Sequence, residues 1–378
     1  MPISSNKVNV RRLKLQNFRN YSALDVVFDG AHVVLTGHNG AGKTNILEAL
    51  SLLSPGRGLR RSAYNEIASL QKVETGFSVF YQLQSSLYDE VDIGTGLSGG
   101  DAGRRFRING ATVTADALSD YCRVTWLIPA QDGLFTGAAS ERRRFLDRMV
   151  LAIDPAHGQR VTNYEKAMRA RNRLLSEGSR DSSLLAAYER PMAELGVAIA
   201  AGRVELVHLL NNMIEQQDEM SPFPKADFRI DGVLENEICR QAAIDVEEIF
   251  RESLAKSRVI DGAAGRTLEG PHRTDLIIYH AKKKMKASLS STGEQKALLT
   301  GIVLAHARLI ASISGLAPIL LLDEIAAHLD RPRLSALFDI LDDINAHAFM
   351  TGTDAGLFSA LEKRAQFFEV SNGQMTLS

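Results

Sequence analysis

The sequence predicts an α/β head whose two halves are separated in the chain by a helical insertion. Three observations carry this. A short apolar run at residues 31–35 leads into a glycine-rich stretch, then into a helical pattern at 45–53 with Ile46, Leu47, Ala49, Leu50 and Leu53 on one face. Far downstream, the continuous apolar run Ile319–Leu322 ends in Asp323 and Glu324, as a parallel strand buried on both faces would. Between them, Val161, Tyr164, Met168, Arg171 and Leu175 recur at intervals of three and four, the spacing of one helix face. So do Leu184, Tyr188, Met192, Leu195, Ile199, Gly202, Leu206, Leu209 and Met213.

The other elements follow in order. Residues 8–15 and 24–28 alternate as strands around a turn at 18–21, and 77–83 alternate as a third strand. The run 104–108 followed by Asn109-Gly110 reads as a hairpin. Two antiparallel helices join near 177–183, and Pro191 is expected to start or kink the second. Strand character at 226–233 and helical character at 244–256 close the insertion, and a strand at 275–280 returns to the head. A long helix at 293–312, a helix at 331–345 and strands at 348–351 and 367–370 complete it. The expected division is residues 1–144 for the first part of the head, 145–264 for the arm and 265–378 for the second part.

Composition narrows the classes. The 378 residues include 44 Lys+Arg against 45 Asp+Glu, a net charge of −1, so binding to an anionic polymer has to come from local clusters. Hydrophobic residues at 45% supply a sizeable core and exclude a disordered chain. Cys122 and Cys239 form no Cys-x-x-Cys pair, which argues against a zinc ribbon and fits a reducing compartment. The longest solid apolar run, residues 317–322, is too short to span a bilayer, and the first 15 residues hold no apolar signal core. A cytoplasmic location is expected.

The chemistry concentrates in three places. Gly37-His38-Asn39-Gly40-Ala41-Gly42-Lys43-Thr44 matches G-x-x-x-x-G-K-[ST] between a strand and a helix. There backbone N–H groups and the helix N-terminus face phosphate oxygens, Lys43 neutralises β/γ charge and Thr44 holds Mg²⁺. Asp323 at the end of the acidic strand suits support of the same Mg²⁺, and Glu324 suits activation of the attacking water. Ser290-Ser291-Thr292-Gly293-Glu294-Gln295-Lys296 opens the long helix and reads either as an anion site or as an ordinary helix cap. His272 and His328 sit within motif segments, where a hydrogen-bonded structural role is expected.

The order of phosphate loop, long insertion, signature-like turn, acidic strand and Ala327-His328-Leu329-Asp330 resembles the ATP-binding-cassette heads of the SMC-like family of DNA-repair ATPases. Leu15-Gln16-Asn17-Phe18-Arg19-Asn20-Tyr21 and Asn45-Ile46-Leu47-Glu48-Ala49-Leu50 are similar to that family too. Arg142-Arg143-Arg144-Phe145-Leu146-Asp147 and Gly270-Pro271-His272-Arg273-Thr274-Asp275 resemble a replication and repair branch of it. The resemblance implies an ATP-binding-cassette-type P-loop ATPase head. ATP and Mg²⁺ would be its cofactors and DNA its ligand, single- or double-stranded, at gaps or junctions. It also implies a homodimer formed on ATP, with Ser291, Thr292 and Gly293 contacting the nucleotide held by the partner subunit. By the same resemblance Asn45 and Arg19 would face the nucleotide, Gln131 would be the Q-loop residue near the metal, and Asp330 the D-loop acid. Thr353 falls where transporter ATPases carry a switch histidine. RecR, with RecO and RecA, would be the pathway partners, with a link to the SOS response and a weak, DNA-stimulated ATPase activity.

A transport ATPase subunit is the alternative, but it should carry a tight Leu-Ser-Gly-Gly-Gln signature, a switch histidine and no arm. Leu97-Ser98-Gly99-Gly100-Asp101 is a near match placed far before the acidic strand. Three basic clusters are candidates for DNA phosphates: Arg57, Arg60 and Arg61; Arg104, Arg105 and Arg107; and Lys282, Lys283 and Lys284.

Overall fold

The computed structural model describes residues 5–68, 76–98, 103–218, 220–327 and 329–378. Two compact units result: Met1–Asp132 with Gln217–Lys225 and Ser291–Ser378, and Gly133–Gln216 with Ala226–Ser290.

The first unit holds two six-stranded sheets. One is antiparallel, in the order β2 (Tyr21–Val27), β1 (Val8–Phe18), β4 (Phe77–Ser85), β5 (Tyr88–Leu97), β6 (Arg105–Ile108) and β7 (Ala111–Val113). Its strands alternate buried and open positions, as the sequence pattern requires of a sheet with one covered face. The other runs β15 (Gln374–Leu377), β14 (Ala365–Ser371), β3 (His32–Thr36), β13 (His347–Thr351), β12 (Ile319–Leu322) and β8 (Val124–Leu127), and is parallel from β14 to β8. Every residue of β12, β13 and β8 is buried, which explains the unbroken apolar run of β12.

Helix α1 (Lys43–Ser51) packs Ile46, Leu47 and Leu50 into one buried cluster with both sheets. A short α2 (Tyr64–Ile67) follows it. The long α9 (Thr292–Ser314) and α10 (Arg331–Asp343) complete the unit. Among the described residues α9 is the one helix long and apolar enough to cross a membrane, and it is mostly buried in the protein interior.

The second unit comprises α3 (Ala139–Ile153), α4 (His157–Ser176), α5 (Ser182–Glu215), α6 (Val233–Ile238), α7 (Ala243–Lys256), α8 (Arg258–Ala264) and a sheet ordered β11 (Met285–Lys286), β10 (Asp275–His280), β9 (Ala226–Asp231). It is larger than the expected 145–264 arm at both ends. The antiparallel pairing of β9 with β10 draws residues 275–280 away from the head, and Arg142 on α3 is forked onto Asp275 at 2.7 and 2.8 Å. A local pattern cannot reveal a pairing between strands so far apart in the chain. Residues 217–225 return to the first unit, where Phe223 packs against Gly301 and Pro222 accepts from Arg333 Nε.

Two further expectations change. Helix α5 begins at Ser182, with Asp181 capping Ser183 and Leu184 N–H, and runs through Pro191. Its buried face is also not the expected stripe. Leu184 is exposed, whereas Leu185, Glu189, Met192, Ala193, Gly196, Ile199, Ala200, Arg203, Leu206 and Leu210 are buried. The helix is central to its unit, touching α4, α6, α7 and β9, so it buries a broad face that includes charges rather than a narrow coiled-coil seam.

Candidate nucleotide site

The loop between β3 and α1 takes its shape from glycine. Gly37, Gly40 and Gly42 have φ of 140°, 82° and 115°. A Cβ on Gly37 would strike the Val370 carbonyl at 2.3 Å, and one on Gly42 would strike Asn20 and the Tyr21 hydroxyl at 2.6 and 2.7 Å, whereas Gly40 faces open space. Asn20 braces the loop by donating to Ala41 O (3.1 Å) and accepting from Asn45 Nδ2 (2.7 Å); Tyr21 donates to Gly42 O. Lys43 folds back inside, its Nζ donating to Gly37 O (2.6 Å) and His38 O (2.9 Å). Burial lowers its pKa, and the charges of Glu324 and Asp323 oppose that.

Strand β12 delivers Asp323 directly to this loop. Thr44 Oγ1 lies 3.0 and 3.1 Å from the two carboxylate oxygens of Asp323. Glu324 follows with φ of 51°, an uncommon conformation for a residue with a side chain. The fully buried Thr351, at the end of β13, donates to Asp323 Oδ1 (2.7 Å) and accepts from Glu324 N (2.8 Å). The residue that meets the acids is thus Thr351 and not the exposed Thr353, two positions on. Asn20 braces the loop where the motif at residues 15–21 points only to Arg19. The available signal was register: β13 lies beside β12, so its last residue ends level with the acids.

The remaining expected residues fall in three settings. Ser291 caps α9, accepting from Glu294 N while Glu294 reaches back to Ser291 N, so the capping reading holds and leaves Thr292 and Gly293 exposed at the first turn. Asp330 caps α10 through Arg333 N (3.0 Å). Gln131 turns its oxygen back onto Ile128 N (2.9 Å), and its neighbour Asp132 pairs with Lys296 of α9 at 3.1 Å.

Arg19 does not lie free at the loop. Its guanidinium grips the fully buried Glu48 on α1 (2.8 and 2.5 Å), Ser62 (2.6 Å) and Glu66 O (2.7 Å). His272 is held between the Tyr164 hydroxyl and Thr267 O, a structural role as expected. His328 and the Gly99–Asp101 part of the near-match signature lie outside the described residues.

The basic clusters separate. Arg57, Arg60 and Arg61 are exposed, with Arg60 also donating to Asn45 and Glu48. Arg105 and Arg107 share the open face of β6. Arg104 leaves the cluster. It is buried, donates to the carbonyls of Leu52, Ser54 and Gly56, and stacks over Phe106 at 4.3 Å. Alternation along the strand sends it inward. Lys282, Lys283 and Lys284 are exposed at the β10–β11 hairpin, in the second unit rather than in the head.

A P-loop pressed onto a parallel strand that ends in Asp-Glu, with an inserted second unit before the capped helix, defines a split P-loop ATPase head of the SMC kind. The family model described as RecF/RecN/SMC N terminal domain matches residues 9–376. The DNA replication and repair protein RecF of Brucella suis biovar 1 is 59% identical over 98% of this chain and 96% of its own length. That of Rhizobium etli (strain ATCC 51251) is 56% identical over 98% and 99%.

Among solved structures, the recombination mediator protein RecF-ATPrS of the RecFOR pathway aligns with a TM-score of 0.86 at 24% identity, covering 99% of each chain. An Smc head domain from Pyrococcus furiosus aligns with a TM-score of 0.51 at 16% identity, covering 98% of this chain and 96% of its own. The chain belongs to the RecF family of DNA replication and repair proteins, an ATP-binding, SMC-like ATPase family, and is not a transport subunit.

Proposed function

We propose that this chain binds DNA under the control of ATP, closing as a homodimer on gaps or junctions and reopening after hydrolysis. Each head would bind ATP along Gly37–Asn45 and present Ser291, Thr292 and Gly293 to the nucleotide of the partner head. The observation that carries the reading is the contact of Thr44 with Asp323, which joins the phosphate loop to the acidic strand. A hydroxyl and a carboxylate at that spacing fit Mg²⁺, which they would hold and which supplies neutralising charge at the β/γ oxygens. Gln131 can join them once it releases Ile128 N.

Glu324 takes the proton of the water that attacks the γ-phosphorus, and the bond to the β–γ bridging oxygen breaks to give ADP and phosphate. Turnover is weak and DNA-stimulated, acting as a timer on the closed state. Closure orders the DNA surface, so ATP and DNA each raise the affinity for the other. Arg57, Arg60, Arg61, Arg105 and Arg107 on the head, and Lys282–Lys284 on the second unit, supply phosphate contacts to single- and double-stranded DNA. The family points to RecR as direct partner, with RecO and RecA in the pathway, to the SOS response, and to action in the cytoplasm. Light scattering coupled to gel filtration, with and without ATP and a gapped duplex, tests this: a dimer that requires ATP and that co-elutes with the duplex is expected, and a monomer under all conditions overturns it.

A further inference from the structure

We propose that Thr351 is a positioning residue for hydrolysis, holding both acids of the site at once. The inference rests on the ATPase reading above. A threonine hydroxyl has one hydrogen and two lone pairs. In Thr351 the hydrogen goes to Asp323 Oδ1 at 2.7 Å and a lone pair takes the Glu324 N–H at 2.8 Å. The two acids are therefore fixed by one oxygen, one through its side chain and the other through its backbone.

The hydroxyl itself cannot wander. Thr351 is fully buried, pairs in register with Leu35 of β3, and its β-branched side chain has few rotamers. The next residue is pinned as well. Gly352 N donates to Leu35 O, and its missing Cβ admits the Phe358 ring, which a Cβ would meet at 2.6 Å.

The consequence at Glu324 is specific. Asp323 N still joins the sheet ladder through Leu127 O, but Glu324 N leaves the ladder for Thr351 and the backbone turns to φ 51°. That turn, which a side chain disfavours, sets where the Glu324 carboxylate points. Thr44 is the exchangeable partner of Asp323. When its hydroxyl turns to another ligand, Asp323 Oδ1 keeps the Thr351 bond and its orientation. Thr351 also begins the Thr351-Gly352-Thr353-Asp354 segment, so a shift of that segment reaches both acids through a single atom.

The test uses the full chain carrying Thr351→Val, which keeps the shape and loses both bonds, and Thr351→Ser, which keeps them. Thr351→Val is expected to lower kcat about tenfold, with KM within about twofold, and to raise several-fold the Mg²⁺ concentration that half-saturates ATP binding. ATP affinity without Mg²⁺ stays unchanged, and Thr351→Ser restores both readouts. The Mg²⁺ response is a binding measurement and stands even where turnover is too slow to measure. Wild-type kcat and Mg²⁺ response in Thr351→Val overturn the proposal. So does equal loss in both variants, or a drop in melting temperature with weaker ATP binding in the absence of Mg²⁺, which marks packing alone. Unaltered ATP affinity in a Lys43→Met chain would instead overturn the nucleotide reading itself.

Discussion

Thr44 and Asp323 are 279 positions apart and meet at 3.0 Å, and that contact closes the two halves of the head into one site. Strand β12 brings Asp323, the glycine loop brings Thr44, and Lys43 donates back to the loop carbonyls of Gly37 and His38.

Nucleotide binding and closure should separate by mutation. Lys43→Met removes the loop's buried cation and is expected to abolish ATP binding and ATP-dependent dimerisation. Thr292 is exposed at the first turn of α9, so Thr292→Arg should leave monomer ATP affinity intact and block closure. Equilibrium ATP binding beside light scattering distinguishes them; dimerisation of both variants like the wild type refutes the arrangement.

The arginines of the β6 hairpin should divide into two behaviours. Arg105→Ala with Arg107→Ala is expected to weaken DNA binding and to reduce the slope of log affinity against log salt by about 1 per lost phosphate contact. Arg104→Met should instead lower stability by about 2–3 kcal/mol, because it strips the donors from the buried carbonyls of Leu52 and Ser54 and from Gly56 O. Salt titrations of DNA affinity and urea melts measure the two effects.

The second unit has a charged centre. Arg171 is fully buried and bonds Glu189 (3.0 Å), Asp261 (2.7 Å), Thr267 (2.9 Å) and Leu254 O (2.7 Å). Arg171→Met leaves two buried carboxylates without this partner and should destabilise the unit by about 3–5 kcal/mol. Hydrogen exchange resolved to α4, α5 and α8 would register the loss, while Trp126 fluorescence from the head should change little.

Acid should unfold the head earlier than its carboxylates alone would require. His347 is fully buried; it accepts from Val10 N through Nδ1 (3.0 Å), and Nε2 meets Ala31 O (2.8 Å), the pattern of a neutral ring. Burial, aided by nearby cations, lowers its pKa to about 3 from an ordinary 6.5. The folded value is depressed, so the unfolded chain binds the extra proton. The associated stability is present above about pH 6.5 and falls as pH drops towards 3. His347→Asn, which does not titrate, should reduce the slope of stability against pH across that window, whatever its absolute stability. An unchanged slope in urea melts followed by Trp126 fluorescence would count against this assignment.

The sequence by itself determined the family and most of the elements. The glycine spacing at 37–44, the apolar run before Asp323 and the serine-threonine cap at 291–292 are local signals, set by backbone conformation and burial within a few residues. β3, α1, α9 and β12 form within a residue or two of where those signals put them. Tertiary structure decided what depends on distant partners. Thr351 became a site residue because β13 lies beside β12. Arg19 went to Glu48, Arg104 turned inward, and the Lys282–Lys284 hairpin joined the arm through β9–β10 pairing. Charge in α5 shows the same divide. Glu189 and Arg203 occupy its buried face because Arg171, Arg258 and Asp147 meet them there, and a hydrophobic pattern scores such positions as surface.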